Sequence, residues 1–218
     1  MDLKVKAVIF DMDGVITNTM PYHFDAWLYV LGRAGIKVNC YDVYEREGQS
    51  GLTTLRELFK ERGRRFNLKQ AKQILSEKER LFKKTVRTSF IKGSRRFLKN
   101  LQKRGFLLAL VTGTSRHEAK KIMHKELFSI FDATVTGDEV RHGKPSPEPF
   151  IKALKGLGVS PREAIVIENA PLGIEAAKRS GLFCIALATS LPARYLKKAD
   201  LIFKSFAELQ KKVRISLP

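Results

Sequence analysis

Short apolar runs alternate with helix-period segments along most of the chain. Val5 to Phe10 reads Val-Lys-Ala-Val-Ile-Phe and stops on Asp11-Met12-Asp13-Gly14, the pattern of a strand that ends on acids and a glycine. From Pro21 the period changes. Phe24, Trp27, Leu28 and Leu31 stand at i, i+3, i+4 and i+7, which predicts a helix ending near Gly32 or Gly35. Leu55, Leu58 and Phe59 mark a second helix. Ala71, Ile74, Leu75, Leu81, Phe82 and Thr85 mark a longer one. Residues 17–90 therefore read as helices with no convincing strand.

After Gly93 the two periods alternate. A helix carrying Phe97, Leu98 and Leu101 ends at Gly105, and Phe106 to Val111 is a strand that stops on Thr112-Gly113-Thr114. A helix from about Ser115 and a strand at Ala133 to Val135 follow, then a helix over Pro147 to Leu157 with proline in its first turn. Ala164 to Ile167 is a strand ending on Glu168-Asn169, and Pro171 to Arg179 is a helix. Phe183 to Leu187 and Leu201 to Phe203 are strands, and Phe206 to Val213 is the last helix. Short apolar strands separated by helices imply a parallel sheet covered on both faces. The expected fold is α/β: a Rossmann-like parallel sheet with helices on both faces and an inserted all-helical cap. Residues 1–16 and 91–218 form the core in this reading, and residues 17–90 the cap. Ligands of such sheets bind beyond the strand carboxyl ends. Asp11, Asp13, Thr112, Glu168 and Asn169 would meet there, together with Lys144 from a Gly-Lys-Pro turn.

Composition excludes several classes. Of 218 residues, 44% are hydrophobic, a globular value that argues against disorder. No apolar run approaches the ~18 residues of a membrane span. Cys40 and Cys184 match neither zinc nor redox spacing, so no disulfide framework is expected. The first residues have the layout of neither a signal nor a transit peptide, and a cytosolic protein is expected. The net charge of +19 invites a nucleic-acid partner. However, the cations are scattered through helical segments, without a zinc finger, RNA-recognition signature or arginine-rich tail. A solvated basic surface is the expectation, and a non-catalytic nucleic-acid- or partner-binding protein is the remote alternative.

Four segments carry the candidate chemistry: Asp-Met-Asp-Gly-Val from Asp11, Val-Thr-Gly-Thr ending at Thr114, Gly-Lys-Pro-Ser-Pro-Glu-Pro-Phe from Gly143, and Ile-Glu-Asn-Ala-Pro-Leu-Gly from Ile167. In this order and context they resemble the motifs of the haloacid dehalogenase superfamily over essentially the whole chain. The second aspartate resembles its phosphotransferase branch, which the dehalogenases do not share. The resemblance implies that Asp11 is a nucleophile forming an aspartyl phosphate and that Asp13 is the general acid and base. Thr112, Gly113 and Thr114 would hold phosphate oxygens, and Lys144 would neutralise the nucleophile and the transferring group. It implies Mg2+ held by Asp11, Asp13 and the Glu168-Asn169 pair. The family commonly has an acid where this chain has Asn169, which keeps an oxygen ligand with one charge fewer.

The segment from Asn18 to Trp27 resembles the cap of β-phosphoglucomutase and its phosphatase relatives, where the histidine and tryptophan flank the cavity. His23 and Trp27 are therefore candidate substrate residues, although Trp27 also fits the apolar stripe of its helix. The segment Glu47 to Thr54, with Gly48 and Gln49, resembles the specificity loop of that cap. Arg116 is a further candidate for a substrate contact. The mutase has a lysine and an arginine at the places of Glu47 and Gly51. Without those cations a second phosphate loses its grip, which favours a phosphatase acting on a small phosphorylated metabolite, a sugar phosphate by resemblance. The mutase stays open as the alternative. No membrane partner is expected, and a monomer is favoured with the oligomeric state open.

Overall fold

The computed structural model describes all residues from Met1 to Pro218. A six-stranded parallel sheet forms its centre. The strands are β2 (Ala7–Phe10), β3 (Leu107–Val111), β4 (Ala133–Val135), β5 (Ala164–Glu168), β6 (Phe183–Leu187) and β7 (Leu201–Phe203), in the order β4-β3-β2-β5-β6-β7. The chain winds outward from β2 in both directions, so the strand order reverses around β2. Phe10 pairs with Leu110 on one side and Ile167 on the other, which brings the polar ends of β3, β2 and β5 side by side.

The near-continuous apolar runs follow from burial on both faces. One face carries Val8, Phe10, Leu108, Leu110, Ile165, Ile167, Ile185 and Leu187. It packs on α5 (Ser94–Lys103), α6 (Arg116–Met123), α7 (Lys125–Phe128) and α10 (Phe206–Lys212). The other face is built of smaller residues, among them Ala7, Ala109, Ala164, Cys184 and Ala186. There α8 (Glu148–Leu157) and α9 (Pro171–Arg179) pack.

Between β2 and β3 lie four helices: α1 (Met20–Arg33), α2 (Cys40–Tyr44), α3 (Gly51–Glu61) and α4 (Leu68–Thr85). They share an apolar cluster of their own that includes Trp27, Leu31, Leu55, Leu58, Phe59 and Ile74. The two chain crossings between this bundle and the sheet run side by side. Asn18 donates its N–H to the Ser89 carbonyl at 2.9 Å, and Ile91 donates to Ile16 at 3.0 Å.

Three features depart from the sequence reading. Strand β2 starts at Ala7 rather than Val5. A separate two-stranded parallel ladder joins β1 (Asp2–Lys4) to β8 (Arg214–Ser216), too short and too polar to carry a period. Leu28, expected on the buried stripe of α1, is 43% exposed. The buried face instead runs through His23, Ala26, Trp27, Val30 and Leu31.

Candidate active site

Asp11 follows the last residue of β2, and its N–H donates to the Ile167 carbonyl at 3.0 Å, which fixes it beside the end of β5. Lys144 arrives from the loop before α8. Its Nζ lies 2.6 Å from Asp11 Oδ1 and 2.6 Å from Glu168 Oε1. Glu168 Oε2 accepts the N–H groups of Asn169 (2.7 Å) and Ala170 (3.0 Å). Gly173 lets the first turn of α9 approach this carboxylate, since a Cβ there would stand 1.7 Å from Oε1. The ion pairs are almost wholly buried, with Asp11 at 4%, Lys144 at 3% and Glu168 at 0% exposure.

Burial is costly for isolated charges, so these groups depend on each other. Burial would lower the Lys144 ammonium, but Asp11 and Glu168 outweigh it and hold the pKa above its ordinary value. Burial raises the Asp11 carboxyl well above the usual range, and neighbouring Glu168 and Asp13 add to this against the pull of Lys144. Three buried carboxylates thus face one ammonium, which leaves excess negative charge.

Asp13 is held by hydroxyls. Thr19 donates to Oδ1, while Thr112 (3.3 Å) and Thr114 (3.1 Å) donate to Oδ2. His23 Nε2 is 3.5 Å from Oδ1. Burial would raise Asp13, but His23 and the hydroxyls of Thr19 and Thr114 outweigh it and lower the carboxyl. The Thr114 N–H, expected on a phosphate, donates to Thr112 Oγ1 at 3.0 Å. Lys78 Nζ lies 3.2 Å from His23 Nδ1, over the rings of Trp27 and Phe82. An ammonium donating to Nδ1 makes that nitrogen the acceptor and leaves Nε2–H toward Asp13.

A cavity of about 350 Å³ lies between the helical bundle and the sheet edge. That is within the usual range for small-molecule sites. His23, Trp27, Glu47, Gly48, Gln49 and Lys78 line it from the bundle, and Gly113, Thr114 and Ser115 from the sheet edge. Gly48 closes it onto the cluster of Asp11, Lys144 and Glu168. Its φ is +89°, and a Cβ there would lie 2.6 Å from Lys144 Cδ. The Gln49 amide is tied within the bundle, donating to Thr54 and Glu57 (3.1 Å each).

Two expectations need correction. Arg116 does not line the cavity. Its guanidinium is held by both Glu139 oxygens and the Thr134 carbonyl, a better-compensated position than one facing the cavity. Glu168 is not open to a metal, because Lys144 and two backbone N–H groups take both its oxygens. Sequence reasoning missed Thr19 and Lys78. Thr19 lies inside the segment from Asn18 to Trp27, but nothing local shows that its hydroxyl reaches Asp13. Lys78 lies in Ser-Glu-Lys-Glu-Arg, which reads as a solvated helix face, and its contact with His23 spans 55 positions.

Asp11 Oδ2 and Asn169 Oδ1 are buried oxygens without a hydrogen-bond partner. No group of three or more His, Cys, Asp or Glu side chains is placed to hold a metal. Buried polar atoms are nearly always satisfied, and a hard cation takes carboxylate, amide and carbonyl oxygens alike. The two orphaned oxygens are of the donor type a divalent ion takes, and the excess negative charge would favour one.

The sequence model of the haloacid dehalogenase-like hydrolases matches residues 5–181. A phosphorylated carbohydrates phosphatase of Thermotoga maritima is 34% identical over 183 residues, 82% of each chain. A β-phosphoglucomutase of Bacillus subtilis is 30% identical over 212 residues, covering 94% of this chain and 92% of its own. The crystal structure of a β-phosphoglucomutase from Clostridium difficile superposes with a TM-score of 0.81 at 25% identity, covering 95% of this chain and 96% of that one. With the acids, threonines and lysine gathered on one sheet edge, the chain belongs to the haloacid dehalogenase-like hydrolases and is an enzyme of their phosphatase type.

Proposed function

We propose that the protein is a Mg2+-dependent phosphatase that hydrolyses a monophosphorylated sugar or related small polyol through an aspartyl phosphate on Asp11. The observation that carries this reading is the buried, unpartnered Oδ2 of Asp11, whose other oxygen is held by Lys144. Asp11, the Asp13 backbone carbonyl and Asn169 would hold the ion. When bound, Mg2+ supplies charge neutralisation and polarises the phosphoryl oxygens.

The residues then divide the work. Lys144 keeps Asp11 in place and offsets charge on the transferring group. An Asp11 oxygen forms the bond to phosphorus as the bond to the leaving oxygen breaks. Asp13 gives that oxygen its proton, then removes one from the water that releases phosphate. The hydroxyls of Thr112 and Thr114 donate to Asp13 here. A substrate phosphate would claim those donors and ease protonation of Asp13. The reacting acids are buried, so the helical segment of residues 17–90 would act as a cap that opens for exchange and excludes water when closed.

Hydrolysis is favoured over the mutase reaction because two of the three cations lining the cavity are already engaged, Arg46 by Glu57 and Glu61 and Lys83 by Glu118, while the third, Lys78, shares its space with the acid Glu47. The name of the Thermotoga maritima relative points the same way, whereas the Bacillus subtilis relative sustains the mutase as second reading. A phosphate-release screen over hexose, pentose and polyol phosphates, with and without Mg2+, tests the first. β-Glucose 1-phosphate with a trace of glucose 1,6-bisphosphate tests the second. Rapid glucose 6-phosphate with little free phosphate would establish the mutase.

A further inference from the structure

Glu47 lines the cavity, yet its carboxylate has no hydrogen bond and no cation within 4.0 Å. The other lining acids and cations are mostly occupied. Glu118 pairs with Lys83, Asp138 accepts from Thr136 and the Arg116 N–H, and Arg46 is held by Glu57 and Glu61. Lys78 faces the same space with no carboxylate within 4.0 Å, touching only His23 Nδ1 and two aromatic rings. Glu47 and Lys78 therefore form an acid and a base that feel each other's charge but do not meet. Both are half-buried, and desolvation raises the first and lowers the second.

We infer that Glu47 is the specificity-determining residue of the cavity, accepting a hydrogen bond from a hydroxyl of an uncharged, hydroxyl-rich leaving group and repelling one that carries a second phosphate or a carboxylate. This rests on the phosphatase reading above. A hydroxyl suits the gap because it donates to a carboxylate and accepts from an ammonium at once. A second anion would meet Glu47 in a poorly solvated space, where like charges are strongly unfavourable. An ammonium group would meet Lys78 in the same way. The chain carries +19 net charge, yet it places an unpaired acid at this point of a phosphate-handling cavity. General attraction of anions therefore does not explain selection here.

The test uses matched pairs: fructose 1-phosphate with fructose 1,6-bisphosphate, and glucose 6-phosphate with glucose 1,6-bisphosphate. The pair with the faster monophosphate is followed in the wild type, Glu47→Gln and Glu47→Lys. The ratio of kcat/KM for monophosphate over bisphosphate is read within one preparation, so partial misfolding cancels. Glu47→Gln should lower the ratio about tenfold, the equivalent of one charged hydrogen bond or one removed repulsion. Glu47→Lys should lower it further, through a fall in KM for the bisphosphate. A ratio unchanged in both variants, with hydrolysis intact, overturns the role of Glu47. Failure of the wild type to release phosphate from any monophosphate of the wider screen overturns the phosphatase reading instead.

Discussion

Gly48 of the helical bundle rests on the side chain of Lys144 from the sheet edge, so close that a Cβ at position 48 would lie 2.6 Å from Lys144 Cδ. Lys144 cannot move aside, because two carboxylates hold its Nζ. The glycine also sits at φ +89°, where a side chain costs roughly 1–2 kcal/mol. Gly48→Ala should therefore hold the cap off the site. Activity should fall about a hundredfold, a barrier change of ~2.7 kcal/mol, against a stability loss of only about 1–2 kcal/mol from the backbone strain. Steady-state kinetics beside a urea titration check this.

The structural role of Lys144 and the chemical role proposed for it separate experimentally. Lys144→Met leaves Asp11 and Glu168 buried without a counter-charge and should cost about 3–5 kcal/mol of stability. Combining it with Glu168→Gln removes one of the stranded charges. The double variant should regain part of the stability and none of the activity. Denaturant unfolding and turnover, measured on both proteins, decide this.

In the proposed cation site Asn169 would bring one charge fewer than an acid. Its Oδ1 has no partner, while its Nδ2 donates to Ser190 at 3.0 Å. Asn169→Asp should tighten Mg2+ about tenfold, because affinity of a hard-cation site rises with ligand charge. Titrating Mg2+ against thermal stability, as well as against activity, reads the change directly. An unchanged or weaker half-saturation would exclude Asn169 as a ligand.

The loop that delivers Lys144 carries its own pH dependence. Glu148, at the start of α8, accepts the N–H groups of Arg141 and His142 at 2.9 Å each and pairs with Lys152 at 3.0 Å. The Arg141 N–H, then Lys152 and the His142 N–H, hold its carboxyl at about 2, below the ordinary 4.5. A carboxyl depressed by folding contributes stability above its unfolded value and loses it as pH falls toward the folded one. The difference in Tm between wild type and Glu148→Gln should be constant near neutral pH, shrink below about 4.5, and vanish near 2. Thermal scans over that range check it.

Much of the core was legible because its chemistry is local. The strands before Asp11, Thr112 and Glu168 are apolar runs that end on polar residues, and a parallel sheet brings such ends together. What could not be read depends on distance or on short range. Helix α2 has only five residues, too few for a period, although Asn39 caps it by accepting from Tyr41 and Asp42. Lys78 lies among charged neighbours, and only folding buries it against Trp27 and Phe82. Arg116 follows the threonine motif by one helical step, but Glu139 on the facing turn claims it.

Attack of Asp11 on phosphorus is exposed by Asp13→Asn. This variant lacks the base for the second step, while p-nitrophenyl phosphate needs little acid help in the first. The protein is mixed with that substrate and Mg2+, quenched in acid within a turnover, and its mass measured intact and after digestion. The peptide that contains Asp11 should gain one phosphoryl group. An unmodified protein after a full burst of p-nitrophenol, or a phosphoryl group on another peptide, would rule out Asp11 as the nucleophile.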